Sequence, residues 1–129
     1  MTEQQPLSKR EQLEKFKEAN KKARAEAMTY VDLSKGENII VQVMIEKGIT
    51  TVEFDGEKGK FKKINYKVLH LESGRELDLR LTSKQAMTLE DAIEKLMLRE
   101  FDPVVKLTKV DDKGNLLIEG LLPKDIPKN

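Results

Sequence analysis

The 129-residue chain contains no cysteine, no tryptophan and a single histidine. Without thiols there is no disulfide framework, and one histidine is too few for a zinc site built from nitrogen and sulfur ligands. A nucleophilic triad needs a base beside its serine in a motif such as GxSxG, which the sequence lacks. His70 shares a strand face with apolar side chains and is expected to bond locally. We therefore expect no enzyme, no metal and no cofactor.

Long hydrophobic runs are missing as well. No apolar stretch approaches the roughly 20 residues that a membrane-spanning helix needs, and the first residues, MTEQQPLSKREQ, have no apolar region of a secretory signal. The sequence predicts a cytoplasmic protein that does not bind membranes. The absence of cysteine and tryptophan beside many Lys and Glu residues favours a thermophilic source.

Neither sign of charge is in excess, because 24 Lys and Arg residues face 23 Asp and Glu residues. This balance excludes a protein that coats nucleic acid by net charge alone, so any such binding must depend on where the charges lie. A hydrophobic share of 38% is enough for a modest core. The length and composition predict one domain with an appendage.

The appendage is residues 1–29, which predict a polar helical arm. Ser8 and Glu11 match a capping box, and no glycine or proline interrupts the segment that follows. Its apolar stripe is thin, with Leu13 and Phe16 as the only large members. The arm is either a solvated helix or a segment that docks on a partner protein or on a second copy of the chain through Leu13 and Phe16.

Residues 30–122 predict strands around one further helix. Apolar residues alternate with other residues from Ile39, and the strand pattern resumes after Gly48 and continues to Phe54. This pattern indicates one long strand that bends at Gly48. Residues 61–81 predict a hairpin that turns at Ser73–Gly74. A mobile loop is predicted at 55–60 and a helix at 83–98. Thr82 and Gln85 form a capping box at the start of this helix, which could break near Thr88. Strands follow at 104–110 and 116–121, and a short tail at 123–129. This order predicts a mainly-β fold, a five-stranded oligonucleotide-binding (OB) barrel with a helix between strands three and four.

The region from 57 to 67 holds five lysines against one glutamate, interleaved with Phe61 and Tyr66. Basic side chains follow a phosphate backbone while aromatic rings stack on bases, which is how proteins bind single strands. The alternative is a solvated strand face with both rings in the core, and the grouping of Tyr66 with Ile64 and Val68 favours that for Tyr66. For Phe61 both interpretations remain open. Arg75 and Arg80, on the paired strand, could extend the surface.

Residues 30–122 resemble the small single-OB single-stranded-DNA-binding proteins of archaea and their viruses. The resemblance depends on the opening VDLSKGE, the lysine-rich strand FKKINYKV, the hairpin turn at Ser73–Gly74 and the helix that follows it. In that family the ligand crosses strands two and three and is held by the loop between strands one and two and the loop between strands four and five. The resemblance therefore implies a nucleic-acid-binding site at Lys58, Lys60, Phe61, Lys63, Lys67, Arg75, Arg80 and Lys113, with Tyr66 as a further candidate.

The sequence thus predicts binding of single-stranded nucleic acid, DNA more than RNA, with little sequence specificity. The alternative is an OB domain that acts as a protein-interaction subunit. It would use the N-terminal helix together with exposed apolar strand residues, namely Ile40, Met44, Leu69 and Leu71. Substitution of the lysines would separate the two functions, because it would abolish nucleic-acid binding and spare a hydrophobic contact.

Overall fold

The computed structural model describes residues 8–127, so the first seven residues of the predicted arm and the last two of the predicted tail lie outside it. Within the described range the fold is mixed α/β, with two α-helices and one antiparallel sheet of six strands. The elements are α1 (Lys9–Ala27), β1 (Asn38–Val43), β2 (Ile49–Gly56), β3 (Gly59–His70), β4 (Glu76–Leu81), α2 (Ser83–Met97), β5 (Val104–Lys109) and β6 (Leu116–Gly120), with short 3-10 turns at Ile45–Lys47 and Pro123–Asp125.

Helix α1 confirms the predicted N-terminal helix. The Ser8 hydroxyl accepts a hydrogen bond from the Glu11 backbone N–H at 3.2 Å and donates to the Glu11 carboxylate at 3.3 Å. Every residue of the helix is exposed. Such a helix gains almost nothing from packing on its own chain, so its stability comes from helix propensity, its cap and the contacts at its C-terminal end.

The long bent strand of the prediction is divided into β1 and β2. Val43 pairs with Val68 and Ile49 pairs with Tyr66, so residues 44–48 lie opposite the single residue Lys67. These extra residues form the 3-10 turn Ile45–Lys47 and turn the chain sharply. The bend near Gly48 is therefore confirmed, and the interruption accounts for the sixth strand.

Strand β3 is the centre of the sheet, whose order is β2-β3-β1-β5-β6 with β4 on the other edge of β3. Both β1 and β2 pair with one edge of β3, and β5 and β6 follow beyond β1. Within residues 8–127, β4 and β6 do not pair, so the sheet is not closed. The prediction of a mainly-β, five-stranded barrel is thus not confirmed in those details.

Helix α2 begins where the sequence predicted. Thr82 and Gln85 form both bonds of the capping box, at 3.0 and 3.2 Å. The helix continues through Thr88 without a break and ends at Met97, before Glu100 takes a left-handed φ of 62°. The apolar face of α2 includes the buried residues Leu89 and Leu96. It packs against the sheet, mainly on β6, with further contacts to β3, β4 and β5.

The hydrophobic core lies between the inner face of the sheet and α2. Alternation in β3 and β4 directs every second side chain inward, as the hairpin pattern predicted. The hairpin turn at residues 71–74 also forms where expected, and the His70 ring nitrogen Nδ1 lies 2.7 Å from the Ser73 hydroxyl, which confirms the local bond expected for this histidine. The buried members of the core are Leu33, Ile39, Val41, Val43, Tyr66, Val68, Leu77, Leu79, Leu81, Ala86, Leu89, Val105, Leu107 and Ile118.

Candidate nucleic-acid interface

Strand β3 divides the predicted site residues between two faces of the sheet. Ile64, Tyr66 and Val68 face the core, opposite the leucines of β4. The intervening residues Phe61, Lys63, Asn65 and Lys67 lie on the outer face, because side chains alternate along a strand. The predicted site residues Phe61, Lys63 and Lys67 therefore lie together on the outer face of β2, β3 and β4.

The segment 55–60 is not the mobile loop that the sequence predicted. Strand β2 continues to Gly56, β3 starts at Gly59, and only Glu57 and Lys58 form the turn between them. Gly59 has a φ of 110°, a backbone conformation that residues other than glycine rarely adopt. The tight turn fixes the register of the hairpin, and with it the pairing of the aromatic residues on the outer face.

Phe54 and Phe61 are direct cross-strand partners in this hairpin. Their rings stack with centroids 5.5 Å apart and planes inclined by 20°. Gly56 provides room for the Phe61 ring, since a Cβ at residue 56 would lie 3.0 Å from the Phe61 Cε1 atom. Phe61 is still 45% exposed, so part of the side chain is available to a ligand.

Arg80 on β4 joins this pair to a third ring. Its guanidinium carbon lies 5.4 Å from the centroid of Phe54 and 5.1 Å from the centroid of Tyr30. The Lys63 ammonium lies 5.9 Å from the Phe54 centroid. These distances are in the range of cation–π attraction. We call Tyr30, Phe54, Phe61, Lys63 and Arg80 the aromatic–cation cluster.

Tyr30 is held in the cluster by backbone bonds just beside it. It forms a bridge with Asp78, while the Val31 N–H donates to the Asp78 carbonyl at 2.8 Å and the Asp78 N–H donates to the Thr29 carbonyl at 3.0 Å. Tyr30 is 43% exposed. The cluster therefore has an exposed ring at each end, with Phe54 and Arg80 between them.

Lys67 also lies on the outer face, but its charge is already paired. Its Nζ atom lies 2.6 Å from Oδ1 of Asp78 on β4. The hydrogen bond with Asp78 raises the pKa of Lys67, and the same bond lowers the pKa of the Asp78 carboxyl. Asn65 donates a long bond to the same carboxylate at 3.5 Å. Lys67 is thus a weaker candidate for a phosphate contact than Lys63, whose ammonium group forms no ion pair within residues 8–127.

Two buried polar atoms on this face have no hydrogen-bond partner within residues 8–127. They are Oδ1 of Asn65, a residue only 6% exposed, and Nε of Arg80. The two residues are cross-strand partners, one atom accepting and the other donating. A buried polar atom without a partner costs about 1–3 kcal/mol. Both atoms lie beneath the surface next to the cluster, so they lower the stability of this face and are not exposed to a ligand.

Tyr66 lies in the core rather than on the outer face. It is 9% exposed and lies opposite Leu79 of β4. Burial raises the pKa of its hydroxyl, and the charge of Glu90 on α2 adds to the effect. The structure therefore agrees with the core interpretation of Tyr66, and this ring is not positioned to stack with Phe61.

Arg75 contacts helix α1 and not the aromatic–cation cluster. Its guanidinium donates to the carbonyl oxygens of Ala25 and Glu26 at the C-terminal end of α1, the first at 2.9 Å. A cation at this end of a helix satisfies free carbonyls and complements the helix dipole. Arg75 thus attaches the arm to the start of β4, and the expectation that it extends the binding surface is not supported by this geometry.

The remaining predicted lysines lie at the turns. Lys58 is in the two-residue turn of the β2–β3 hairpin and Lys60 follows it, both exposed. Lys113 is exposed in the β5–β6 turn, which Asp111 stabilises by accepting from the Lys113 N–H at 2.8 Å. The Gln85 side chain donates to the Gly114 carbonyl at 2.9 Å and so places that turn beside the start of α2.

Sequence analysis missed Tyr30 and Phe54, the two rings between which Arg80 lies. The register of the β2–β3 hairpin was the available signal for Phe54, since a two-residue turn between Gly56 and Gly59 places Phe54 opposite Phe61. No local pattern indicated Tyr30, because its position depends on a bridge to the distant residue Asp78.

No protein-family model, curated protein or solved structure matches this chain. Among residues 8–127 there is no group of three or more His, Asp or Glu side chains that could hold a metal ion. In the same range, neither helix has the length and apolar character required to span a membrane.

Proposed function

We propose that the outer face of β2, β3 and β4 binds single-stranded nucleic acid, in particular DNA, with little sequence specificity. The aromatic–cation cluster is the observation that carries this proposal. It combines two exposed rings with two cations on one surface, and stacking on such rings is tolerant of sequence because every base has a π-face. The binding is proposed as the protein's whole activity, without catalysis.

Phe61 and Tyr30 are the proposed stacking residues. Both residues are exposed, whereas Phe54 is half-buried and its ring stacks on one side of the Phe61 ring. Lys63 and Arg80 supply positive charge between the two rings. Lys60, although predicted as a site residue, directly precedes Phe61 in β3, so its side chain is directed to the opposite face of the strand and is not part of the proposed surface.

The order of the strands supports an OB-type fold as the framework of this site. In an OB-fold the strand-two and strand-three face binds oligonucleotides, and the barrel is partly open. Here β1 and β2 correspond to the long first strand, β3 and β4 to strands two and three, α2 to the connecting helix, and β5 and β6 to strands four and five. The cluster then lies on the strands that the resemblance to archaeal and viral single-stranded-DNA-binding proteins implies.

Fluorescence anisotropy with a labelled oligo-dT of about 20 nucleotides tests the proposal, since OB-folds engage about 4–16 nucleotides each. We expect anisotropy to rise as protein is added at low salt and the apparent affinity to fall steeply as salt increases, because each phosphate contact releases a counterion. A duplex of equal length is the control and should bind much more weakly. Equal binding of duplex and single strand, or no binding at low salt, would contradict the proposal.

A further inference from the structure

A second surface, on the opposite face of the sheet, is a wide apolar groove of about 730 Å³ between α2 and the turn that joins β1 to β2. Its walls include three exposed large apolar side chains, Ile45, Ile49 and Met87. The apolar strand residues predicted as an interaction surface, Ile40, Met44, Leu69 and Leu71, are half-buried instead. The groove is therefore the stronger candidate for a contact with protein.

The acidic side of this groove is on α2. Of the three charged residues along the groove, Lys67 directs its ammonium group to the outer face of the sheet, where it pairs with Asp78. The other two, Glu90 and Glu94, lie one turn apart and form no ion pair within residues 8–127. An apolar groove with this border fits an apolar segment that carries positive charge.

Helix α1 has that chemistry. Phe16 is 65% exposed and Leu13 lies three residues before it, so the two share a face. Lys9 and Lys17 lie one turn on either side of Leu13 on the same side of the helix. Neither lysine forms an ion pair within residues 8–127. The helix thus presents two large apolar side chains bordered by basic ones.

The helix does not reach the groove of its own chain. Its C-terminal end is attached before β1, where Arg24 donates to the Ser34 hydroxyl at 3.2 Å and lies 3.5 Å from the Glu37 carboxylate. The groove begins at Val43, at the other end of β1, and no residue of α1 lines it. An occupant with the chemistry of α1 therefore has to come from another molecule.

We propose that the protein forms a two-fold dimer in which α1 of each copy docks in the groove of the other. Leu13 and Phe16 contact the apolar walls, and Lys9 and Lys17 face Glu90 and Glu94. The arrangement is self-complementary, since each copy contributes one helix and one groove, as a two-fold interface requires. It is independent of the proposed nucleic-acid binding, which uses the outer face of the sheet.

Sedimentation velocity on the full chain, at protein concentrations from roughly 1 µM to 1 mM, tests this proposal. We expect a species of twice the 14.8 kDa chain mass that dissociates on dilution. The double variant Leu13→Ser/Phe16→Ser changes only exposed side chains and is expected to be monomeric. A wild-type protein that remains monomeric throughout the range would overturn the proposal and leave another protein as the occupant.

Charge reversal tests which surfaces meet. Glu90→Lys/Glu94→Lys and Lys9→Glu/Lys17→Glu are each expected to weaken the dimer, whereas an equimolar mixture of the two proteins, or one chain with all four changes, restores it. Lys15→Glu/Lys22→Glu, on the far side of α1 from Leu13, is the matched control and should leave the dimer intact. A dimer that tolerates reversal of Glu90 and Glu94 would show that α1 docks elsewhere.

Discussion

Lys67 and Asp78 face each other across β3 and β4, with the ammonium nitrogen 2.6 Å from a carboxylate oxygen. The hydrogen bond lowers the pKa of Asp78 and raises that of Lys67, so both groups are charged near neutral pH. One of the lysines predicted to contact phosphate is thereby neutralised by its neighbour. The pair limits the positive charge of the outer face at this point.

Replacement of Asp78 by asparagine is expected to strengthen binding of single-stranded nucleic acid. The change frees the Lys67 charge, while the amide that replaces the carboxylate keeps the shape of the side chain. One additional phosphate contact should steepen the dependence of log K on log salt by about one. Anisotropy titrations at several salt concentrations measure both quantities. Glu119→Gln, which removes an exposed negative charge from β6, is the control, and an equal change in both variants would contradict a local role for the pair.

Arg80 is expected to act through its planar group as well as its charge. The guanidinium lies against both Tyr30 and Phe54, and a lysine ammonium cannot reproduce this stacking. Arg80→Lys should therefore weaken oligo-dT binding several-fold while the salt dependence stays unchanged. Lys63→Arg, which also preserves charge, is the comparison. Full affinity in Arg80→Lys would show that the stacked arrangement does not contribute.

Stability is expected to fall in acid because several carboxyl groups have a lowered pKa. The Asn115 side-chain amide, followed by the Lys113 N–H, lowers the pKa of Asp111, and the Ser34 backbone N–H lowers the pKa of Glu37. A lowered pKa in the folded state contributes stability above the ordinary value of about 4, and this stability is lost as pH falls through the folded-state pKa. Urea unfolding between neutral pH and acid measures the loss. Asp111→Asn should make the pH dependence shallower, and a dependence identical to that of the wild type would contradict this role.

Glu100 is expected to limit stability because its φ of 62° is unfavourable for a side chain with a Cβ. The left-handed conformation costs about 1–2 kcal/mol in residues other than glycine. Glycine removes this cost, but its greater backbone entropy in the unfolded chain offsets part of the gain. Glu100→Gly should therefore raise the free energy of unfolding by up to about 1 kcal/mol. Denaturant unfolding measures the change, and a Glu100→Gly protein less stable than the wild type would contradict it. Asp91→Gly, inside α2, is the matched control and should be destabilised by about 0.3 kcal/mol, the difference between the helix propensities of the two residues.

Local signals predicted most of the secondary structure. The capping residues Ser8 and Thr82 placed the helix starts, and alternation placed the strands, because these features depend on neighbours in the sequence. The departures come from contacts between distant residues. Arg75 is engaged by the end of α1, and Tyr30 joins the cluster through its bridge to Asp78. Alternation placed Tyr66 on the core face but could not fix how deeply it is buried.

The most direct test of the central claim is the affinity of Phe61→Ala for oligo-dT relative to Phe16→Ala. Both changes remove an exposed phenyl ring, one from the aromatic–cation cluster and one from α1. Loss of base stacking costs about 1–3 kcal/mol, so Phe61→Ala should bind about fivefold to 100-fold more weakly, while Phe16→Ala binds as the wild type does. Circular dichroism spectra that match the wild type establish that each variant is folded. Unchanged affinity in a folded Phe61→Ala protein would contradict the assignment of the outer face as the nucleic-acid interface.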